Sequence, residues 1–91
     1  MAMFSDYSKE AEFAGVSEKD IKRLLAKLNE AGRLADHLGL ELFGGDGSLA
    51  VRKYCDNNIR PVILGHTRYG NWDGGDGGER YINGLWVGEG E

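Results

Sequence analysis

The residues best placed to do chemistry lie in one short stretch, Gly70-Asn71-Trp72-Asp73-Gly74-Gly75-Asp76-Gly77-Gly78-Glu79. Three carboxylates recur at three-residue spacing, separated by glycines, and oxygen ligands on a pliable backbone are what Ca²⁺ prefers. The pattern departs from known calcium loops. An EF-hand needs acids at alternate positions and a distal glutamate, and glycine-rich nonapeptides bind calcium only as stacked repeats. No metal or other cofactor is therefore expected. Cys55, His37 and His66 supply the soft and imidazole groups of the chain. A nucleophile needs a base within reach and a third group to orient it, and nothing in the spacing of these three brings them together. One cysteine and two scattered histidines also fail the ligand spacing of a zinc site. Gly44-Gly45-Asp46-Gly47-Ser48 has the look of a phosphate loop. It lacks the Lys-Ser/Thr ending, and a strand-like segment follows where a phosphate loop requires a helix. The expectation is a protein without catalytic residues.

Recognition is the chemistry that remains. Tyr69, Trp72, Tyr81 and Trp86 bracket the acidic stretch, and tyrosine and tryptophan are the residues most enriched at binding hot spots. The net charge is −4, and its placement is uneven. Residues 1–69 carry ten acids and ten bases, whereas Gly70 to Glu91 carries five acids against one base, Arg80. Aromatics beside acids suit a basic partner. The expected partner-binding residues are Tyr69, Trp72, Asp73, Asp76, Glu79 and Tyr81, facing a larger protein with a basic surface. The bases Lys19, Lys22, Arg23, Lys27 and Arg33 are interspersed with Glu18, Glu30 and Asp36. That balance reads as a solvated helix face and disfavours direct nucleic-acid binding.

The elements that must hold these residues are legible to different degrees. Ser5 or Asp6 can cap a short helix running to about Ala14, stopped by Gly15. Ser17 reads as the N-cap of a long helix over 17–38, with Glu18 and Asp20 in its first turn and Val16 and Ile21 at the staple positions. Ile21, Leu24, Leu25, Leu28, Ala31, Ala35 and Leu38 recur with helical period, so Leu24, Leu25 and Leu28 are expected in the core. Gly39 ends the helix, with His37 in its last turn. Leu40–Phe43 and Leu49–Tyr54 read as strands around a Gly44–Gly47 turn. A four-residue connection pairs Leu42 with Leu49 and Leu40 with Val51, leaving Glu41, Phe43, Ala50, Arg52 and Tyr54 on the other face. Further strands are expected around Arg60–Thr67 and Tyr81–Val87, joined by the glycine-rich segment. The predicted fold is α+β: one or two N-terminal helices packed on a mostly antiparallel four-stranded sheet.

Ninety-one residues predict one domain, 1–91, with a helical part over 5–38 and a β part over 40–88. There are 15 glycines against one proline, Pro61, a composition of tight turns rather than of a Pro-rich linker. A single cysteine excludes an internal disulfide. The first residues lack a basic and an apolar region, and the longest apolar run, Val62-Ile63-Leu64, cannot span a bilayer. A cytoplasmic protein with no membrane contact is expected. In size, charge and organisation the chain looks like the small acidic accessory proteins of phages and mobile elements, which include anti-CRISPR and anti-restriction inhibitors. The likeness is one of character and carries no residue role. The leading expectation is a binding module that occupies a basic or nucleic-acid-facing surface of a larger protein. The alternative is a structural homo-oligomer or virion component pairing through a sheet edge, and a homodimer is compatible with either.

Overall fold

A computed structural model describes residues 7–45, 47–72, 74–75 and 77–89. It contains two helices, α1 (Ser8–Ala14) and α2 (Glu18–Leu38), and five strands. These are β1 (Glu41–Gly44), β2 (Leu49–Lys53), β3 (Val62–His66), β4 (Gly78–Ile82) and β5 (Leu85–Glu89). The class is α+β. The strands form two antiparallel sheets, β1-β2-β3 and β4-β5, rather than the single four-stranded sheet expected. By contacts the chain divides into two compact units. One is Met1–Asn29 with Gly75–Glu91, and the other is Glu30–Gly74.

Local chemistry sets the element ends. Ser5 and Asp6, the expected caps of the first helix, lie outside the described residues, and α1 begins after Tyr7. Both helices stop at a glycine in the left-handed region, Gly15 at φ 73° and Gly39 at φ 71°. At the first stop Val16 N–H donates to Ala11 O and Gly15 N–H to Glu12 O; at the second Leu40 N–H donates to Ala35 O and Gly39 N–H to Asp36 O. This is the paired closure of a Schellman motif, which satisfies carbonyls the helix leaves open. Ser17 caps α2 as expected: its Oγ accepts from Lys19 N–H at 3.1 Å and Asp20 N–H at 3.4 Å.

In the three-stranded sheet Leu42 lies opposite Val51 and Gly44 opposite Leu49. The pairing thus runs two residues further into the turn than predicted, because Gly44 continues the ladder. A two-residue shift preserves parity, so Leu42, Leu49 and Val51 still share one face and Glu41, Phe43, Ala50 and Arg52 the other. Gly47 takes φ 84° in the turn. Between Val51 and Arg52 the pairing to β3 slips by one residue, and beyond it Thr67 extends the edge. Its N–H donates to Leu49 O and its Oγ1 accepts from Leu49 N–H, each at 2.9 Å.

The strand expected over about Tyr81–Val87 is instead a hairpin. Ile82 pairs with Leu85 across Asn83-Gly84, which adopt φ 52° and 82°. Positive φ at both central residues is the type I′ turn, and Asn-Gly is its strongest sequence signal. Burial corrects a second expectation. Leu24, Leu25 and Leu28 are exposed, not core, and the buried apolar residues described are Ala11, Ala35 and Ala50. Along α2 the least exposed positions are Ile21, Gly32 and Ala35. By helical period they fall to one side of Leu24, along the line that also carries Leu28.

Candidate interaction surface

Tyr69 and Trp72 belong to the unit Glu30–Gly74. Trp72 is half-buried and tied at both ends: its backbone N–H donates to Gly47 O at 3.2 Å, and its indole Nε1–H to Tyr69 O at 2.9 Å. It rests on Gly44, where an added Cβ would lie 2.6 Å from the Trp72 carbonyl oxygen and 3.2 Å from its Cβ. Gly70, at φ 88°, lets the chain fold back under the indole. Trp72 thus secures the start of the acidic stretch to the β1–β2 turn instead of presenting a free ring. Tyr69 is 82% exposed. Asp73 and Asp76, the first two expected acids, lie outside the described residues.

Glu79 and Tyr81 sit on β4, in the other unit. Glu79 is exposed opposite Gly88, and Tyr81 is half-buried opposite Trp86, with ring centroids 5.0 Å apart. Trp86 also meets Phe13 of α1 at 4.9 Å. Lys9, Glu12, Phe13, Tyr81 and Trp86 border an open groove of about 450 Å³, so three aromatic rings lie beside one cation and one acid.

What fixes β4 to α1 was not foreseen from the sequence. Glu10 Oε2 accepts from Arg80 Nε–H at 2.9 Å and from the Tyr81 backbone N–H at 2.7 Å. In a two-residue hairpin closed at Ile82–Leu85, Tyr81 is a non-hydrogen-bonded position whose N–H points away from β5. Glu10 satisfies that donor. The Tyr81 N–H holds the Glu10 carboxyl below the ordinary glutamate range, aided by the Arg80 hydrogen bond and charge and opposed by burial. The Arg80 guanidinium lies 3.9 Å from the centre of the Tyr7 ring, a favourable cation–π distance. The one signal available in sequence was that Arg80 is the lone base of an acidic segment.

The sheet face around Phe43, Arg52 and Tyr54 satisfies itself. Arg52 pairs with Glu41, its guanidinium carbon lies 3.9 Å above the Phe43 ring, and Tyr54 is 5.9 Å away. Its cation is already neutralised and stacked within the chain. Cys55 is exposed, its Sγ directed at the Lys53 carbonyl at 3.8 Å, and His37 and His66 are exposed on α2 and β3. No helix among the described residues is long and apolar enough to cross a membrane. No family model matches this chain, and neither a curated protein nor a solved structure is significantly similar to it.

Proposed function

We propose that this protein is a non-catalytic binding module that occupies a basic or nucleic-acid-facing surface of a larger cytoplasmic protein. The observation that supports this reading most is the fate of Arg80. The last quarter of the chain carries five acids and this one base, and Glu10 of α1 pairs with the base. A segment already acidic by composition therefore has its single cation matched from elsewhere. Exposed Tyr69 precedes that segment in sequence, the Tyr81–Trp86 pair lies within it, and both supply aromatic surface of the kind that anchors partners. In such a role the chain competes with nucleic acid for its partner, as inhibitors carried by phages and mobile elements do against host defence systems.

The test is comparative capture. Immobilised wild-type protein and the triple variant Asp73→Asn, Asp76→Asn, Glu79→Gln are exposed to cell lysate at low and raised salt. The captured partner is then assayed for DNA or RNA binding. The wild type should retain a basic protein in a salt-sensitive manner and block its nucleic-acid binding, and the triple variant should retain it several-fold less. Equal capture by both proteins at low salt would assign the acidic stretch a purely connecting role.

A further inference from the structure

We propose that the groove between α1 and the β4–β5 hairpin takes an arginine side chain of the protein partner, an inference that rests on the binding role and names the group that role recognises. All of the groove's residues belong to one compact unit. Trp86 is tilted 58° from Phe13 and 59° from Tyr81, so the rings do not stack flat on one another. Phe13 and Trp86 stay 77% and 40% exposed. An aromatic face attracts a cation held within about 6 Å of its centre. Charge agrees. Glu12 borders the groove and is exposed. Glu79 stands two residues before Tyr81 on β4, so the pleat sets it on the face that carries Tyr81 and Trp86. Gly88 lies opposite Glu79, and nothing stands within 4 Å of where a Cβ on it would be. Lys9 is the one base against these two acids. An anion would meet two carboxylates and the ring faces, and a neutral group would leave the carboxylates unused.

The choice of arginine comes from the chain's own usage. Arg52 lies 3.9 Å above the Phe43 ring and pairs with Glu41, and Arg80 lies 3.9 Å above the Tyr7 ring and pairs with Glu10. Each guanidinium is held by one ring and one carboxylate. The groove offers the same two components facing outward, three rings with Glu12 and Glu79. A guanidinium is planar and weakly hydrated, so it lies flat on a ring while its edge donates to a carboxylate. The ammonium of lysine is compact and strongly hydrated and does neither as well.

The test titrates the full chain with N-acetyl-arginine methylamide and with the matching lysine and citrulline derivatives, followed by ¹⁵N-resolved NMR. The Trp86 indole N–H signal should shift and saturate with the arginine derivative, respond several-fold more weakly to lysine and not respond to neutral citrulline. The Trp72 indole, in the other unit, should stay in place. Glu12→Gln should weaken the response about threefold and Lys9→Met strengthen it about threefold, the size of one exposed charge contact; both sites are exposed on α1, and unchanged spectra elsewhere confirm folding. Equal binding of citrulline or lysine, or no response at Trp86, would overturn the proposal. So would tighter binding of free arginine than of its capped form, which would make the groove a site for the amino acid itself. An arginine response that is absent while salt-sensitive capture of a basic protein persists overturns the groove and leaves the binding role. A response that is present with no such capture supports the groove and overturns the binding role.

Discussion

Replacing Gly44 by alanine tests how the acidic stretch is held. The substitution adds one carbon to a residue with an ordinary strand backbone, so it carries no penalty of conformation. It does carry one of space, because the new Cβ would stand 2.6 Å from the Trp72 carbonyl oxygen and 3.2 Å from the Trp72 Cβ. The nearer clash is with backbone, which cannot rotate away, so Trp72 must lift from the β1–β2 turn. Overpacking of this sort costs about 1–3 kcal/mol, offset by about 0.4–1 kcal/mol from the reduced freedom of the unfolded chain. Gly65→Ala is the matched control: the same sheet, an ordinary backbone, and nothing within 4 Å of the added carbon. It should be neutral or slightly stabilising. The two variants should therefore differ by about 1–3 kcal/mol, or roughly 4–8 °C of melting midpoint per kcal/mol for a chain of this size. Thermal melts followed by circular dichroism measure the difference. Emission from Trp72 in a Trp86→Phe background should shift to the red in Gly44→Ala alone. Equal midpoints with unshifted emission would refute the seating of Trp72 on Gly44.

Three further outcomes follow from the hairpin turn, the N-cap of α2 and the Glu10–Arg80 pair. Gly84→Ala should destabilise by about 1 kcal/mol in urea melts, because φ of 82° is strained for alanine even though the added carbon meets nothing. Ser17→Ala should cost about 1 kcal/mol by the same measure, the usual loss for an N-cap whose oxygen accepts backbone donors. Glu10 has a lowered pKa when folded, so the folded chain binds fewer protons than the unfolded one just below the ordinary glutamate value. The stability this confers is complete above that value and is lost as pH falls through the lowered one. Glu10→Gln should therefore lower stability at neutral pH and flatten the acid limb of a stability–pH profile.

The parts of the fold that could be read in advance are those settled within a few residues. Ser17, Gly15 and Gly39 act through hydrogen bonds to their own helix ends, and the alternation of Leu42, Leu49 and Val51 sets a face without reference to the rest of the chain. The Asn83-Gly84 hairpin was equally local. Tyr81–Val87 nonetheless reads as one strand, because it is apolar enough to resemble one, while two successive residues at positive φ require a turn. Register within the β1–β2 hairpin depends on Gly44, which extends the ladder in a place where only a residue without a side chain accommodates Trp72. That is a contact across nearly thirty positions, invisible to periodicity. The leucines of α2 illustrate the same limit. Helical period shows that Leu24 and Leu28 share an apolar side, but not whether their own chain covers it. The candidate surface was legible as composition alone. Aromatics and acids could be counted, whereas the ties of Trp72 to Gly47 and Tyr69, and of Glu10 to Arg80, could not.

In the proposed role the acids cannot by themselves hold a partner. Exposed ion pairs contribute about 0–1 kcal/mol each, so Asp73, Asp76 and Glu79 supply at most about 3 kcal/mol, while a micromolar complex needs about 8 kcal/mol. Their effect belongs to encounter: opposite charge steers association and weakens as salt shortens the Debye length to about 8 Å at physiological strength. Duration must come from apolar area, and Tyr69 is the exposed aromatic nearest the acids in sequence. A tyrosine ring carries about 150 Å² or more of burial, and covering most of it at about 25 cal/mol per Å² gives about 3 kcal/mol, roughly a hundredfold in dissociation rate. The Trp72 indole bonds to the Tyr69 carbonyl and not to its ring, so removing the ring leaves that tie in place. Tyr69→Ala should accordingly leave the melting midpoint unchanged and speed release from the captured partner about a hundredfold. The neutralised triple variant should instead slow association with little change in release. Release at the wild-type rate from Tyr69→Ala would move the anchor to the Tyr81–Trp86 groove, where Trp86→Ala would then be the variant that shortens the complex.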